Sequence, residues 1–403
     1  MAAILLRRMA ALSVIGFLSL SPAGAQDATH DDLRSLLDRY ARHWDVPGLV
    51  VSVVKNDLVV FRHGYGTTMY QGGMNVETTT PLAVQSISKP ITAIALSMLV
   101  QEGRVAWDDP IKKHIPEFQF ADPYVTDHAT LLDAMCHRIG LPQMIDDSSP
   151  ANFSVQDFID AIGIVEPTIL FRSGFYYSNV GPGLLGEVIH RVTGVTWEEF
   201  VQTRILDALG MDDSYASDRL FSERVGDLDD LDRLMKIVAL SGGEPTNQSW
   251  EYFNEWMWPA GGVISTSEDQ AKLIRFLLNR GEVDGRRLLD AALIDTLFSP
   301  QEVSPHGFIV PRIPLLNPSS HFIALGPGFQ LSDFHGRLVA EHGGEGRSTT
   351  VLAIMPEEGL GVFVGSNAPF GLDSVGMIMA VKLALFEHFL GLPPTDWIAV
   401  YDR

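Results

Sequence analysis

The chain of 403 residues exceeds one ordinary domain of roughly 100–200 residues, so two structural units are expected. The 29 Lys and Arg against 50 Asp and Glu give a net charge of −21, which argues against a nucleic-acid partner because phosphate binding depends on basic side chains. A single cysteine excludes a disulfide framework and any multi-cysteine metal site.

The first 25 residues have the pattern of a cleavable secretory signal. Arg7 and Arg8 lie in an acid-free start, a short apolar stretch follows over Met9–Leu20, and small residues lead up to Ala25. The apolar stretch is shorter than the ~20 residues of a membrane span, although an uncleaved membrane anchor is the alternative interpretation. We expect residues 1–25 to be a signal peptide cleaved after Ala25, and the protein to be exported, periplasmic or secreted, with no stable membrane span in the mature chain.

The N-terminal part predicts a helix, a β-hairpin and a buried helix. Apolar residues recur at helical spacing over Asp31–Trp44. Two β-branched runs, Gly48–Val54 and Leu58–Arg62, are separated by Asn56-Asp57, which is typical of a hairpin turn. Ile91–Val100 is apolar on nearly every face, which indicates a helix buried all round.

The middle of the chain, from about Trp107 to Ser249, has the pattern of shorter helices and loops. One of these helices begins with a capping sequence at Thr196 and ends at Gly210. Strand-like runs return late, and an amphipathic helix is predicted over Asp373–Leu390. The late predicted strands are Gly328–Ser332, Arg337–Glu341, Thr350–Met355 and Leu360–Gly365.

Strands near both chain ends usually belong to one sheet. We therefore predict an α/β (α+β) fold in which an antiparallel sheet flanked by helices is built from both ends. In this prediction residues 26–106 and 255–403 form the sheet-containing domain, and residues 107–254 form an inserted, mainly helical domain.

Ser86-Ile87-Ser88-Lys89 is an S-x-x-K sequence at the start of the predicted buried helix. Residues three apart on a helix share a face, so Lys89 would lie beside the Ser86 hydroxyl, at a helix end that favours a developing anion. Pro90 disfavours helical geometry at Lys89 but is tolerated in a first turn. A second copy, Ser52–Lys55, lies in a predicted strand, where residues three apart point to opposite faces. Taken alone, an S-x-x-K sequence is better interpreted as a capping serine and a surface lysine than as a catalytic pair.

Two Tyr-x-Asn sequences follow, Tyr177-Ser178-Asn179 and Tyr252-Phe253-Asn254. Residue type does not separate them, and a Tyr near an Asn is usually structural. The first leads through glycines into an apolar helix over Leu184–Thr193, a setting that could hold its side chains rigidly.

A third sequence, His342-Gly343-Gly344, ends one of the late predicted strands and is followed by Glu345 and then Arg347. Glycines at a strand edge let another backbone, or a substrate, approach closely. Taken alone, a glycine turn with a solvent-exposed histidine is the better interpretation.

In combination and in this order, these sequences resemble the serine β-lactamase and DD-peptidase superfamily, which shares the S-x-x-K first motif. The resemblance is greatest to class C β-lactamases, DD-peptidases and related esterases, whose second motif is Tyr-x-Asn, and it extends from about Pro47 to Leu392. It implies a β-lactamase/transpeptidase-like fold. Further family-like segments are Gly64–Gly66, Leu99–Val105, Trp107–Pro110, Cys136–Pro142, Leu206–Met211, Ala260–Asp269 and Glu341–Gly344.

The resemblance implies a role for each motif residue. Ser86 would attack a carbonyl and form an acyl-enzyme, with Tyr177 or Lys89 as the base. The ordinary pKa of tyrosine is about 10, so a Tyr177 phenolate would depend on a nearby Lys89 ammonium. Asn179 would hold the carbonyl side of the substrate or Lys89. The backbone N–H groups of Ser86 and Glu345 would form the oxyanion hole.

The third motif departs from the Lys-Thr-Gly of β-lactamases. His342 replaces a permanent positive charge by a titratable imidazole, and Gly343 lacks the hydroxyl that can bind a carboxylate. Both changes weaken recognition of a penicillin or a terminal D-alanine, unless Arg347 compensates. His-x-Gly is common among the esterases and peptidases of the superfamily, which favours those activities over efficient β-lactam hydrolysis. In a chain this acidic, Lys89, together with His342 or Arg347, would form a local positive patch.

We therefore expect an exported serine hydrolase that cleaves a small-molecule or peptide substrate, namely a β-lactam, a D-amino peptide or a short-chain ester, through a Ser86 acyl-enzyme. The alternative is a non-catalytic or slowly acylating penicillin-binding or sensing protein on the same fold. The expected substrate-binding residues are Asn179, His342, Gly343, Gly344, Glu345 and Arg347.

No metal or cofactor is expected, because His and Asp residues show no metal-ligand spacing and no Gly-rich phosphate loop precedes a helix. Cys136 lies in an apolar stretch and is expected to be a buried structural thiol. The sequence predicts no oligomeric state.

Overall fold

The computed structural model describes residues 22–144, 153–227, 231–241, 244–250, 252–303, 318–368 and 371–402. The expected signal peptide lies outside these ranges except for its last four residues, which begin the first helix. None of the helices in these ranges is long and apolar enough to cross a membrane. Export and cleavage after Ala25 stay predictions.

The strands of the described residues fall mainly at the two ends of the chain. They are β1 Gly48–Lys55, β2 Leu58–Met69, β3 Gly72–Asn75, β4 Leu82–Ala83, β5 Val238–Ser241, β6 Glu244–Asn247, β7 Ile264–Ser265, β8 Glu282–Val283, β9 Arg286–Arg287, β10 Glu302–Val303, β11 Ala324–Gly326, β12 Phe329–Phe334, β13 Arg337–Gly344, β14 Thr349–Met355 and β15 Leu360–Ser366.

The helices of the described residues include five longer than ten residues and several of a single turn or two. They are α1 Pro22–His43, α2 Ser88–Gln101, α3 Ile111–His114, α4 Pro123–His128, α5 Leu131–Met135, α6 Val155–Ile162, α7 Val180–Thr193, α8 Trp197–Val201, α9 Asp218–Val225, α10 Trp258–Gly261, α11 Ser267–Leu278, α12 Ala291–Leu297, α13 Leu372–Leu390 and α14 Trp397–Tyr401.

A nine-stranded antiparallel sheet organises the molecule, in the order β10-β11-β12-β13-β14-β15-β1-β2-β3. The N-terminal strand β1 pairs with the C-terminal strand β15, with Val51 opposite Val364. The turn between β1 and β2 has Asn56 and Asp57 at φ 49° and 66°, the left-handed geometry that suits a two-residue hairpin. The prediction of one antiparallel sheet built from both chain ends and flanked by helices is confirmed.

Helices cover both faces of the sheet, which explains why its central strands are apolar throughout. Side chains alternate between the two faces of a strand. In β1, Val51 and Val53 belong to a core shared with α1 and α13, whereas Val50 and Val54 belong to a second core shared with α2 and α11. The α2 face carries the candidate site.

Two helices differ from their predictions. Helix α1 runs over Pro22–His43 rather than Asp31–Trp44. Helix α13 was expected to be amphipathic and is instead buried along most of its length, because it lies on β14 and β15 while α1 and α14 pack against it. The short helix α14 after it was not predicted.

The middle of the chain is mainly helical, as expected, with one β-hairpin, β5–β6, that the pattern did not predict. One hydrophobic core continues from the sheet through α2 into α5 and α7. The division into domains at residues 107 and 254 therefore stays a prediction.

A buried ion pair joins the sheet to α13 directly behind the candidate site. Lys382 Nζ donates to Glu341 Oε2 at 2.6 Å, and the two side chains are 1% and 4% exposed. Glu341 immediately precedes His342 on β13, so this pair anchors the strand that carries the third motif.

Replacing Lys382 with Met is expected to lower the free energy of unfolding by about 3–5 kcal/mol, because the Glu341 carboxylate stays buried without its counter-charge. Urea unfolding measures the change. The double variant with Glu341→Gln as well should recover part of the loss. Lys112→Met removes an exposed pair with Asp127 and should leave the midpoint close to that of the wild type. Equal losses at Lys382 and Lys112 would contradict this account.

Candidate active site

Ser86 lies in a tight turn that leads into the buried helix α2. A single 3₁₀ turn, Gln85–Ile87, precedes α2, and Gln85 has φ 54°, which is uncommon for a residue with a side chain. Ser88 Oγ donates to Gln85 O at 2.8 Å and accepts from Val263 N at 3.1 Å. The backbone around Ser86 is thus fixed from both sides of the turn.

Lys89 is completely buried and reaches Ser86 as the S-x-x-K spacing predicts. Its Nζ donates to Ser86 Oγ at 2.9 Å, to Asn179 Oδ1 at 2.7 Å and to Ala260 O at 2.9 Å. Pro90 lies in the first turn of α2, where its missing N–H breaks no helical hydrogen bond.

Tyr177 and Asn179 come from the loop that opens α7. The Tyr177 hydroxyl donates to Ser86 Oγ at 2.7 Å. Its ring lies beside the buried His137, with ring centroids 4.7 Å apart, and His137 Nδ1 accepts from Ser178 N at 3.2 Å. The first Tyr-x-Asn therefore meets the first S-x-x-K.

The second copies of both motifs lie elsewhere. Ser52 Oγ donates to Ser267 Oγ at 3.0 Å, while Lys55 Nζ donates to Glu358 O at 2.6 Å, so the two side chains do not meet. Tyr252 is 49% exposed and donates to Ser222 Oγ. Context, not residue type, separates the copies.

The third motif forms the end of β13 and lies against the turn of Ser86. A Cβ added at Gly344 would lie 2.5 Å from Val84 O and 2.9 Å from Gln85 Cβ, so only glycine permits this approach. At Gly343, an added Cβ would meet only Thr350 O, at 3.7 Å. The close approach at Gly344 brings the backbone of Glu345 next to the turn of Ser86.

His342 is buried rather than exposed, unlike the expectation for the isolated motif. Its Nδ1 donates to Gly343 O at 2.6 Å. Burial, with a smaller contribution from Lys89, lowers the pKa of His342 to about 3. The imidazole is therefore neutral at physiological pH.

The Arg347 guanidinium contacts other side chains of the protein. Its Nη1 donates to Asp218 Oδ2 at 3.0 Å, and its guanidinium lies 3.6 Å from the ring centroid of Phe253. Asp218 is fully buried and also accepts from Trp258 Nε1 at 3.1 Å. Asp218 thus ties the loop after the third motif to α10, and substrate binding by Arg347 stays a prediction.

Burial removes charge from the site. It lowers the pKa of Lys89 and of His137 well below their ordinary values, and it raises the pKa of Tyr177. Burial disfavours the charged forms of Lys89 and His342, and Arg347 is paired with Asp218, so these three residues contribute less positive charge than the sequence suggests.

Sequence reasoning missed several residues that shape the site. Gln85, His137, Asp218 and the carbonyl of Ala260 contact the motif residues, yet they lie far from one another in sequence. No local pattern marks them, although the position of Gln85 beside Ser86 could have drawn attention to its backbone.

Cys136 fits a structural role. It is buried, and burial raises the pKa of its thiol to about 12, so it stays protonated and unreactive. Among the residues that the structure describes, no group of three or more His, Cys, Asp or Glu side chains is arranged to hold a metal ion.

Comparison with known proteins shows the family of the chain. Residues 33–385 match the family described as Beta-lactamase. The chain belongs to the beta-lactamase family. Two solved structures share the fold, each with a TM-score of 0.71: the octameric penicillin-binding protein homologue from Pyrococcus abyssi, at 23% identity over 91% of this chain and 78% of that chain, and SurE, at 21% identity over 93% and 80%.

Two further relatives match this beta-lactamase family member over only part of their own length. Protein flp from Staphylococcus aureus (strain NCTC 8325 / PS 47) is 24% identical over 62% of this chain and 49% of its own length. Unguisins hydrolase ungD from Aspergillus violaceofuscus is 24% identical over 88% of this chain and 63% of its own length. The chain thus spans about half to two thirds of these relatives.

Gly344→Ala is expected to lower the rate of Ser86 acylation at least about a hundredfold, because the new methyl group displaces the turn that holds the nucleophile and an oxyanion donor. The rate of labelling by a fluorophosphonate measures it. In Gly343→Ala the added methyl group meets no atom closer than ordinary van der Waals contact, so the unfolding midpoint of this variant should match that of the wild type. Equal labelling rates in Gly344→Ala and wild type would contradict the proposed close approach.

Proposed function

We propose that this protein is an exported serine hydrolase that cleaves an ester or amide through an acyl-enzyme on Ser86. The observation that carries the proposal is the convergence of Lys89 Nζ and Tyr177 Oη on Ser86 Oγ, at 2.9 and 2.7 Å. A hydroxyl between a buried amine and a phenol is a nucleophile beside a base and a second proton carrier. The name of the relative unguisins hydrolase supports a hydrolase.

Lys89 is the base in this proposal. A neutral amine has two N–H donors and one lone pair. In this proposal the donors serve Asn179 Oδ1 and Ala260 O, and the contact with Ser86 reverses direction, so that the Ser86 hydroxyl donates to the Lys89 lone pair. Burial favours this neutral form and disfavours a Tyr177 phenolate. Tyr177 then stays protonated and donates to Ser86 Oγ.

The acylation step follows from these positions. The Ser86 hydroxyl passes its proton to Lys89 Nζ while Oγ forms a bond to the substrate carbonyl carbon, and the carbonyl electrons move to oxygen. The N–H groups of Ser86 and Glu345 stabilise that oxyanion. As the oxyanion collapses, the bond to the leaving group breaks and the leaving group receives the proton, directly or through Tyr177. Water then attacks the acyl carbon and passes a proton to the same base. The bond to Ser86 Oγ breaks, and Oγ takes up the proton, so that the free enzyme is restored.

The substrate in this proposal is an ester or a D-amino peptide rather than an efficiently hydrolysed β-lactam. Gly343 offers no hydroxyl to a carboxylate, His342 is neutral, and Arg347 is paired with Asp218. These three features remove the contacts expected for a penicillin carboxylate. We assign the chain to the class C-like branch on its Tyr-x-Asn motif.

Ser86 is expected to carry the covalent label when the folded protein reacts with a fluorophosphonate. Intact-mass spectrometry should show one adduct that is lost in Ser86→Ala and kept in Ser52→Ala, the serine of the second S-x-x-K. Turnover of a short-chain nitrophenyl ester, a D-alanyl peptide and a chromogenic cephalosporin then identifies the substrate class. Absence of any adduct on Ser86 would refute the hydrolase and favour the non-catalytic alternative.

The pH dependence of acylation distinguishes the two candidate bases. With neutral Lys89 as base, the rate should rise as pH passes through its lowered pKa and level off below the ordinary lysine value of about 10.5. Lys89→Met should lower the rate about 10²–10⁴-fold. Tyr177→Phe removes one hydrogen bond and should lower it by less than about tenfold. A rate that keeps rising above pH 10, with the larger loss in Tyr177→Phe, would assign the base to Tyr177.

A further inference from the structure

Glu345 lies at the edge of the nucleophile turn. Both of its neighbours approach Gln85, the residue before Ser86: an added Cβ at Gly344 would lie 2.9 Å from Gln85 Cβ, and one at Gly346 would lie 3.4 Å from Gln85 Oε1. The residue is exposed. Its charge acts on Tyr177, where it adds to the effect of burial in raising the pKa of that phenol.

The Glu345 carboxylate has no hydrogen-bond or salt-bridge partner within the described ranges. Surrounding protein atoms raise its pKa, and no cation of the described residues offsets this effect. Arg347, two residues on, is directed to Asp218 instead. Among the described residues, Glu345 therefore presents an unpaired carboxylate within electrostatic range of Tyr177, next to the turn of Ser86.

We propose that Glu345 selects substrates with a positive charge near the scissile carbonyl and disfavours substrates with a carboxylate there. A carboxylate close to a developing oxyanion opposes it, and a cation on the substrate offsets that repulsion. The inference rests on the hydrolase function proposed above, because it concerns the same acyl-enzyme.

The expected size of this preference follows from Coulomb's law. A unit charge about 7 Å from the carboxylate, in a partly aqueous opening, changes the rate roughly tenfold. The net charge of −21 attracts cations to the whole surface as well. A test must therefore separate the local charge of Glu345 from the general field.

Three 4-nitrophenyl esters of similar length form the test: the 5-(trimethylammonio)pentanoate, its uncharged isostere with a tert-butyl group, and the hydrogen adipate. The kcat/KM of each is measured for the wild type, for Glu345→Gln and for Glu357→Gln. Glu357 is an exposed acid at the opposite end of β14, so its replacement removes one charge far from Ser86.

In the wild type we expect the cationic ester to exceed its isostere about tenfold and the adipate to fall below it. Glu345→Gln should bring the three values together, while Glu357→Gln should leave the ratios as in the wild type. Glu345→Lys should reverse the order. The ratio of two esters on one variant does not depend on how much of the protein is folded.

Ratios that are the same in wild type and Glu345→Gln would overturn the selection by Glu345 while leaving the hydrolase intact. Equal changes in Glu345→Gln and Glu357→Gln would overturn it too, in favour of the general field. Failure of the hydrolase function looks different, since no ester is turned over and no fluorophosphonate adduct forms on Ser86.

Discussion

The buried amine of Lys89 is the group on which the arrangement of the site depends. Its three hydrogen-bond partners come from three separate elements: the turn before α2, the start of α7 and the end of α10. The last of these is fixed in turn by Thr92, which donates to Pro259 O at 2.8 Å. Lys89 Nζ thus connects the turn of Ser86 to both α7 and α10.

Charge is removed from the centre of this site and kept at its edge. Burial lowers the pKa of Lys89 and of His342 and so disfavours their charged forms, and the Arg347 guanidinium holds the following loop on Asp218. The carboxylate of Glu345 is left at the opening. In a strongly acidic protein, a site without a net positive charge attracts anionic substrates neither at long range nor at contact.

The sequence predicted the sheet well because both of its faces are covered, which makes β1 and β15 apolar runs between clear turns. It also placed Ser86 beside Lys89, because one helical turn joins them. It could not predict that His342 is buried, since β13 is covered by the separate turn at Gln85. The ion pair between Arg347 and Asp218 could not be predicted either, because the two residues are 129 positions apart and no periodicity relates them.

The pairing of β1 with β15 has a consequence for how the protein acquires its structure. Val51 lies opposite Val364 inside the sheet, so this pairing cannot form until nearly the whole chain is available. Contacts this distant in sequence make folding slow, because a long loop must close before they form. The sheet therefore stays incomplete until the C-terminal strands are available, and a protein truncated before β15 would lack one partner of β1.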